Sequence, residues 1–258
     1  MNILFIGDIV GRSGRRAVRL FLDKIIETHD ISLVIANGEN SAGGFGITKK
    51  VADELFGYGI DCLTMGNHTW DNKNIFDFID KEKRLIRPLN YFPDNPGHGW
   101  TIIEKNGLKI AVVNLIGQVY MNNYNSPYHI FQEKINDIKN NSDIIIVDFH
   151  AEATGEKLAF AHSVDGEVAA VVGTHTHVQT SDAQILPGGT AYITDAGLTG
   201  AVNSILGMRV DKMVEKYITQ LPVNYEVATG SVKLEGALIK IDQNKALGKQ
   251  IMEIKKNN

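Results

Sequence analysis

The sequence predicts an α/β protein in which two packed β-sheets are flanked by helices. In the N-terminal part, apolar strand-like runs alternate with helix-like segments, which is typical of a parallel α/β layer. Turn-rich segments and paired strand signals dominate the rest of the chain and indicate a second sheet. With 258 residues, 43% of them hydrophobic, the chain is long enough for a large core. We therefore predict one domain over residues 1–258, with a C-terminal β extension from about residue 223.

In the N-terminal part, each predicted strand is followed by a helix. A turn that contains Gly11 and Gly14 precedes a segment whose apolar side chains follow helical spacing. Thr48 is a suitable N-cap for the second helix, because its hydroxyl can accept a backbone N–H bond. The predicted strands are residues 2–7, 33–36 and 62–66, and the predicted helices are residues 17–26, 49–56 and 74–81.

The middle and C-terminal parts contain stronger turn signals. Asn106-Gly107 lies between two apolar runs and predicts a hairpin over residues 101–115. Proline and glycine predict a loop over residues 87–100, and residues 120–128 are also expected to form a loop. The remaining predictions are a helix at 130–140, strands at 144–149, 169–174 and 190–194, a C-terminal hairpin of 224–227 with 231–242, and a helical or frayed end at 245–258.

Five apolar runs stop at residues that can bind a metal. In an open α/β sheet, ligands bind beyond the carboxyl ends of the strands, so these residues are expected to share one site. Oxygen and imidazole ligands together indicate a transition metal, and more than one ion. The residues at the five ends are Asp8, Glu39 with Asn40, Asn67 with His68, His150, and His175 with His177.

The histidines at these ends have different expected roles. Residues i and i+2 of an extended segment point the same way, so His175 and His177 can both face one site. His68 is a candidate proton donor, because an imidazole pKa can be tuned to the working pH. Ordinary explanations stay open at this stage: Asp8 suits a helix N-cap, and His150 suits a buried core histidine. Asp195 also ends a strand and is a candidate for orienting a ligand histidine without binding the metal itself.

Composition and motifs exclude several classes of protein. A net charge of −4 and a pI of about 6.1, without any basic block, argue against an extended nucleic-acid surface. The single cysteine, Cys62, fits a reducing compartment, and no apolar stretch is long enough to span a membrane, so we predict a soluble cytoplasmic protein. The glycines after the first strand do not match G-x-G-x-x-G, and neither a P-loop nor a G-x-S-x-G element is present.

The order of the motifs resembles that of the calcineurin-like metallophosphoesterases. Nearly the whole chain is similar to the YmdB-like family in the stretches MNILFIGDIVGRSGR, IANGENSAGG, TMGNHTWD, DFHAEATGEK, VVGTHTHVQT and ILPGGTAYITDAGLTG. Two positions depart from the wider superfamily: Val10 lies where a histidine ligand is usual, and Glu39-Asn40 replaces an aspartate-containing motif. Ligand type helps to select the metal, so these departures bear on metal identity.

The resemblance implies the calcineurin-like α/β/β/α sandwich and a centre with two divalent metal ions, iron or manganese. Two cations lower the pKa of a bridging water and stabilise both the attacking and the leaving oxygen. The resemblance implies that Glu39 bridges two ions, one held by Asp8, Glu39, Asn40 and His177, and the other by Glu39, Asn67, His150 and His175.

The function implied by the resemblance is that of a 2′,3′-cyclic-nucleotide 2′-phosphodiesterase. A metal-bridged hydroxide would attack phosphorus in line, and His68 would protonate the departing ribose oxygen. Small cyclic nucleotides are the expected substrates, the 3′,5′-cyclic ones being further candidates. RNA with cyclic phosphate ends is a larger candidate partner.

Two other functions stay open. One is a phosphomonoesterase that uses the same metals, and the other is a metal-loaded regulatory protein without turnover. A structural zinc protein is disfavoured, because closed zinc sites prefer several cysteines. A homo-oligomer is a further expectation, based on the C-terminal β segment. Aromatic residues in the two long loops are candidates for stacking on a base: Tyr91, Phe92, Tyr120, Tyr124 and Tyr128.

Overall fold

The computed structural model describes residues 1–258. The elements of the N-terminal part are β1 (Asn2–Ile6), β2 (Asp8–Ile9), α1 (Gly11–His29), β3 (Ile31–Asn37), α2 (Lys49–Gly57), β4 (Cys62–Thr64) and β5 (Leu85–Ile86). They are followed by β6 (Trp100–Lys105), β7 (Leu108–Ile116), α3 (Pro127–Asn141), β8 (Ile144–His150), α4 (Thr154–Ser163), β9 (Ala170–Thr174), β10 (Gln184–Ile185), β11 (Ala191–Ile193), β12 (Leu198–Ala201), α5 (Val210–Thr219), β13 (Val232–Asp242) and β14 (Leu247–Asn257).

The strands form two sheets. The first has the order β2-β12-β13-β1-β3-β4-β5, with β14 paired to β13. In it, β1, β3, β4 and β5 are parallel, whereas β13 runs antiparallel to β1. The second has the order β10-β11-β9-β8-β7-β6, in which β7, β8, β9 and β11 are parallel. The parallel strands of each sheet therefore present their carboxyl ends together.

Helices cover the outer faces of both sheets. One apolar cluster packs α1 and α2 against the first sheet, through side chains such as Leu22 and Leu55. A second cluster, which includes Phe5 and Ile146, fills the space between the sheets. A third packs α3 and α4 against the second sheet around Phe160. These layers confirm the predicted architecture of two packed sheets flanked by helices.

Two local predictions are confirmed in detail. The Thr48 side chain accepts a hydrogen bond from the Val51 backbone N–H and caps α2. Asn106 and Gly107 have φ values of 52° and 77° and join β6 to β7. Both residues of a tight hairpin turn of this kind need positive φ, which asparagine and glycine adopt at little cost.

The helix predicted at residues 74–81 is wrong, because only a 3₁₀ helix, Lys73–Asp77, forms there. The apolar residues Ile75, Phe78 and Ile79 are still buried. Helical spacing of three side chains is satisfied equally well by this shorter turn, since the Phe78 backbone N–H bonds to the carbonyl of Ile75. The helices α4 and α5 were not predicted at all.

The strand predicted at 231–242 is observed as β13, but its predicted partner and the predicted end of the chain are wrong. Residues 224–227 make no strand with 231–242; instead β13 pairs along its length with β14. The segment expected to be helical or frayed is thus a strand, with Ile251 and Ile254 buried. Its many charged residues hide this pattern, and pairing with the distant β1 and β12 stabilises β13. None of the five α-helices has the length and apolar content that a membrane span requires.

Candidate metal centre

The predicted ligands meet where the carboxyl ends of the two sheets face each other. Glu39, which follows β3, lies at the centre and is completely buried. His150 at the end of β8 reaches it from the second sheet, with its Nε2 atom 3.0 Å from Glu39 Oε1. Asp8 in β2 is also completely buried. Two sheets that are separate in hydrogen bonding therefore supply one cluster.

Two further side chains lie at contact distance from the His150 Nε2 atom. Asn67 Oδ1 lies 3.0 Å from this nitrogen, and His175 Nδ1 lies 3.1 Å from it. Ligand atoms of Glu39, His150 and His175 all lie within 4.8 Å of one another. We call this set, with Asn67, the His150 group. Its mixture of imidazole, carboxylate and amide oxygen suits a divalent transition metal.

A second set adjoins it through Glu39. His177 Nε2 lies 3.2 Å from Asn40 Nδ2 and 3.6 Å from Asp8 Oδ1. We call Asp8, Asn40 and His177, with Glu39, the Asp8 group. Asp8 Oδ1 is buried and has no hydrogen-bond partner in the protein. Because an unpaired buried carboxylate oxygen is costly, its position here fits a cation ligand.

The outer nitrogen of each histidine is held by a protein group. Thr174 Oγ1 donates to Asp148 and lies 2.9 Å from His150 Nδ1, from which it can accept. Glu152 lies 3.2 Å from His175 Nε2. The Leu206 carbonyl lies 3.1 Å from His177 Nδ1. Such partners fix the tautomer and turn the other nitrogen, as a lone pair, toward a metal. The residue set therefore fits a metal centre.

Burial and neighbouring charges act in opposite directions on the pKa values of Asp8, Glu39 and His150. Burial raises the pKa of Asp8 and of Glu39, but the nearby histidines outweigh it, so both carboxyl pKa values are lowered. Burial lowers the pKa of His150, but Glu39 and Asp8 outweigh it and raise that pKa to about 9. For His175, burial and the charge of His150 lower the pKa to about 3. The cluster thus combines paired charges with neutral imidazole.

His68 lies beside the cluster and outside it. Its backbone N–H donates to Glu39 Oε2 over 2.8 Å. The ring Nδ1 lies 2.7 Å from Asp71 Oδ2, and the Phe45 ring packs edge-on at 5.0 Å. A carboxylate on Nδ1 leaves Nε2 as the nitrogen that can exchange a proton with a substrate. This placement supports the expected separation between metal ligands and proton donor.

The sequence had suggested an extended segment at His175 and His177, but the loop that carries them is not extended. The φ values are 100° and 63°, in the region that non-glycine residues rarely adopt. Thr176 between them donates its N–H and its hydroxyl to Asp195 Oδ2, over 3.0 and 2.8 Å. Lys157 Nζ donates to the same oxygen over 2.9 Å, in a completely buried ion pair. Asp195 therefore acts through Thr176 and bonds neither histidine.

The groups that orient the ligands were not among the predicted site residues. Thr174 ends β9, Glu152 lies between β8 and α4, Lys157 lies in α4, and the Leu206 group is a backbone carbonyl. Of these, only Thr174 carries a signal, because it precedes His175 at the end of β9. Four other histidines are not part of the cluster: His29, His98, His129 and His162.

Comparison with known proteins gives a consistent result. The model of the family described as "YmdB-like protein" matches residues 4–254. A relative from Bacillus subtilis (strain 168), named 2′,3′-cyclic-nucleotide 2′-phosphodiesterase, is 47% identical over 242 residues. The match covers 94% of this chain and 92% of that protein.

Two solved structures are similar over the whole chain. A hypothetical protein from Thermus thermophilus has a TM-score of 0.94 at 36% identity, with full coverage of both chains. A structure described as a novel phosphatase from Mycoplasma pneumoniae also has a TM-score of 0.94, at 33% identity, and covers 100% of this chain and 93% of its own. The fold and the arrangement of layers are therefore shared with experimentally determined structures.

Proposed function

This chain belongs to the YmdB-like family, and from that premise we propose that it is a metal-dependent phosphodiesterase that hydrolyses 2′,3′-cyclic nucleotides. The observation that carries the proposal is the convergence of His150 and His175 on the buried Glu39. His177 lies beside Asp8 and Asn40, and His68 adjoins Glu39. The name of the Bacillus subtilis relative supports the choice of substrate. A cytoplasmic location, supported by the unpaired and buried Cys62, belongs to the same proposal.

The His150 group and the Asp8 group would each hold one ion, with Glu39 shared between them. Bound divalent cations would supply positive charge for the phosphoryl oxygens and lower the pKa of water. Iron or manganese fits the mixture of nitrogen and oxygen ligands. The protein's own part is to hold the ligand atoms in place, through Thr174, Glu152 and the Leu206 carbonyl.

His68 would supply the proton for the departing ribose oxygen. Asp71 Oδ2 lies 2.7 Å from Nδ1, so an Nδ1–H can donate to it and Nε2 is left as the nitrogen that transfers the proton. The side chain is 27% exposed, so it is accessible to a substrate at the rim of the cluster. Opening of a cyclic ester at the 2′ oxygen would place that oxygen at His68 and leave a 3′-phosphate. Proton transfer of this kind typically contributes about 10²–10⁴-fold to the rate.

The test is hydrolysis of 2′,3′-cyclic AMP by purified protein with Mn²⁺ or anaerobic Fe²⁺, with and without chelator. We expect turnover that requires metal. His68→Ala should lower kcat by about 10²–10⁴-fold while metal content stays at the wild-type level. His162→Ala, an exposed histidine on α4, is the matched control and should be unchanged.

Three outcomes would contradict the proposal. Fully metal-loaded protein that does not turn over the cyclic ester would favour the regulatory alternative. Faster hydrolysis of adenosine 3′-phosphate than of the diester would favour a phosphomonoesterase. Near-wild-type kcat in His68→Ala would remove this residue from the proton transfer. RNA that ends in a cyclic phosphate, 3′,5′-cyclic AMP, and the oligomeric state in solution can be examined with the same preparation.

A further inference from the structure

A cleft of about 420 Å³ opens directly beside the candidate metal centre. Its walls come from the segment after β4, from the loop between β5 and β6, and from the loop between β7 and α3. Asn67 of the His150 group forms one border of the cleft. Its other lining residues include Trp70, Asp71, Tyr91, Phe92, Asn95 and Tyr124.

The cleft is connected to the candidate chemistry through three contacts. Asn67 Oδ1 lies 3.0 Å from His150 Nε2, inside the cluster. Asp71 lines the cleft and lies 2.7 Å from His68 Nδ1. Tyr91 donates its hydroxyl to the Gly66 carbonyl over 2.7 Å and so holds the cleft wall against the metal centre. The cleft therefore adjoins both His68 and the candidate metal ligands.

The lining is aromatic and amide-rich, and it contains no lysine or arginine. Tyr91 is buried, with the Tyr124 ring at 5.2 Å and the Trp70 ring at 5.8 Å. Phe92 is 63% exposed, so a face of its ring is available. Asn95 bonds through its backbone N–H and carbonyl, which leaves its side-chain amide for a ligand. An uncharged planar group that carries donors and acceptors fits such a lining better than a second phosphate does.

We propose that this cleft is the nucleoside subsite, in which Phe92 stacks on the base and Asn95 bonds to the base edge. The inference rests on the proposed function and deepens it. The leaving ribose oxygen must face His68, so the ribose lies next to Asp71 and the base continues into the cleft. Stacking on one aromatic ring is compatible with every base. The Asn95 amide can distinguish bases only through the hydrogen bonds that each base edge makes with it.

Of the five aromatic residues that the sequence suggested for base stacking, three border the cleft. Tyr91, Phe92 and Tyr124 line the cleft. Tyr120 is 88% exposed and does not border it. Tyr128 packs edge-on against Phe160 of the outer helix layer.

A larger concavity of about 700 Å³ lies across Tyr91 and is lined by Lys83, Arg87 and Lys134. It contains no candidate metal ligand and neither His68 nor Asp71. The Arg87 guanidinium already donates to the carbonyls of the surrounding loop. The smaller cleft is therefore the one that the reacting nucleotide can enter from the metal centre.

The test compares two esters, 2′,3′-cyclic AMP and methyl ribofuranoside 2,3-cyclic phosphate, which lacks the base. Removing an aromatic stacking partner typically weakens the binding of a base roughly 10-fold. In Phe92→Ala, we expect kcat/KM for the nucleotide, divided by kcat/KM for the base-free ester, to fall by about that factor. Phe92→Tyr should restore the ratio. Tyr120→Ala is the matched control on the neighbouring loop and should leave it unchanged.

Binding of adenosine 3′-phosphate to the same metal-loaded variants gives a readout that does not need turnover. Weaker binding in Phe92→Ala supports the subsite even where wild type hydrolyses neither ester, and in that case only the proposed activity fails. A kcat/KM ratio and a Kd for adenosine 3′-phosphate that both match wild type in Phe92→Ala would overturn the subsite. The two proposals are thus separated by the outcome.

Discussion

The candidate ligands borne by strands and those borne by the loop after β9 are held in place by different means. Asp8 and His150 belong to β2 and β8, are completely buried, and take their positions from strand pairing. His175 and His177 have left-handed backbone conformations. Their positions depend on Thr176, which the buried Lys157–Asp195 pair anchors. Regular strands thus position Asp8 and His150, whereas a buried ion pair anchors the loop that carries His175 and His177.

The largest effect is expected at Gly66, which packs closely against His150 and Glu39. A Cβ atom at Gly66 would lie 2.3 Å from His150 Nε2 and 2.6 Å from Glu39 Oε2. Gly66→Ala must therefore displace both ligands, and a displacement of about 1 Å can cost about 100-fold in rate. We expect at least about that loss in kcat, with reduced metal content by elemental analysis. Gly155→Ala is the control, because open space surrounds that position; equal losses in both variants would contradict the crowding argument.

The loop that carries His175 and His177 should be most sensitive to loss of the buried Lys157–Asp195 ion pair. Lys157→Met leaves Asp195 as an uncompensated buried charge, which typically costs about 3–5 kcal/mol. We expect that loss in urea unfolding, together with weaker metal binding. Lys139→Met is a matched control, because its ion pair with Glu167 has the same 2.9 Å distance but is exposed. Exposed pairs contribute about 1 kcal/mol or less. Equal destabilisation by the two changes would show that Lys157 has no special role.

Proton binding should also distinguish His150, which lies in a strand, from His175, which lies in the loop. In metal-stripped protein, the pKa of His150 is raised from 6.5 to about 9. The resulting stability is complete below pH 6.5 and is lost as the pH rises to 9, amounting to about 3 kcal/mol. The pKa of His175 is lowered to about 3, so its contribution is present above pH 6.5 and is lost as the pH falls.

The measurement is the free energy of unfolding of metal-stripped wild type and His150→Gln between pH 6.5 and 9. We expect wild type to lose stability over this range and the variant to lose less. Parallel curves would mean that Glu39 and Asp8 do not hold the proton on His150. Metal must displace this proton, so metal affinity should rise over the same range.

The smallest effect is expected at the hydroxyl of Thr176. Thr176→Val removes one hydrogen bond to Asp195 and keeps the shape of the side chain, which typically costs about 1 kcal/mol. Because the anchored residue lies between two ligands, metal affinity should fall by about 10-fold, the lower end of the usual range for such partners. Unchanged affinity in a metal titration would mean that the backbone N–H bond and the ion pair suffice.

Much of the candidate site was predictable, and the reasons are local. Each proposed ligand follows an apolar run, and parallel strands bring such ends to one edge. The Thr48 cap and the Asn106-Gly107 turn were predictable because a few neighbouring atoms determine them. Strand–helix alternation in the N-terminal part indicated the parallel strands of the first sheet.

The predictions were wrong or incomplete where contacts between distant segments determine the structure. The strand at the C-terminus forms because β13 offers it a partner, although the charged sequence of residues 245–258 does not suggest one. The outer partners of the histidines include a backbone carbonyl, an exposed glutamate and a threonine. Such groups have no sequence signature, because their role depends only on where the fold places them.

The sequence by itself determined the family, the two-sheet architecture and the residue types at the strand ends, since these follow from periodicity and from motifs. Only the tertiary structure decided how the histidine loop bends, which nitrogen of each histidine faces the cluster, and which aromatic side chains border the cleft. Those features depend on contacts between residues far apart in the chain, such as Lys157 with Asp195 and Tyr91 with Gly66. Periodicity records which face of an element is buried, but it does not record what that face meets.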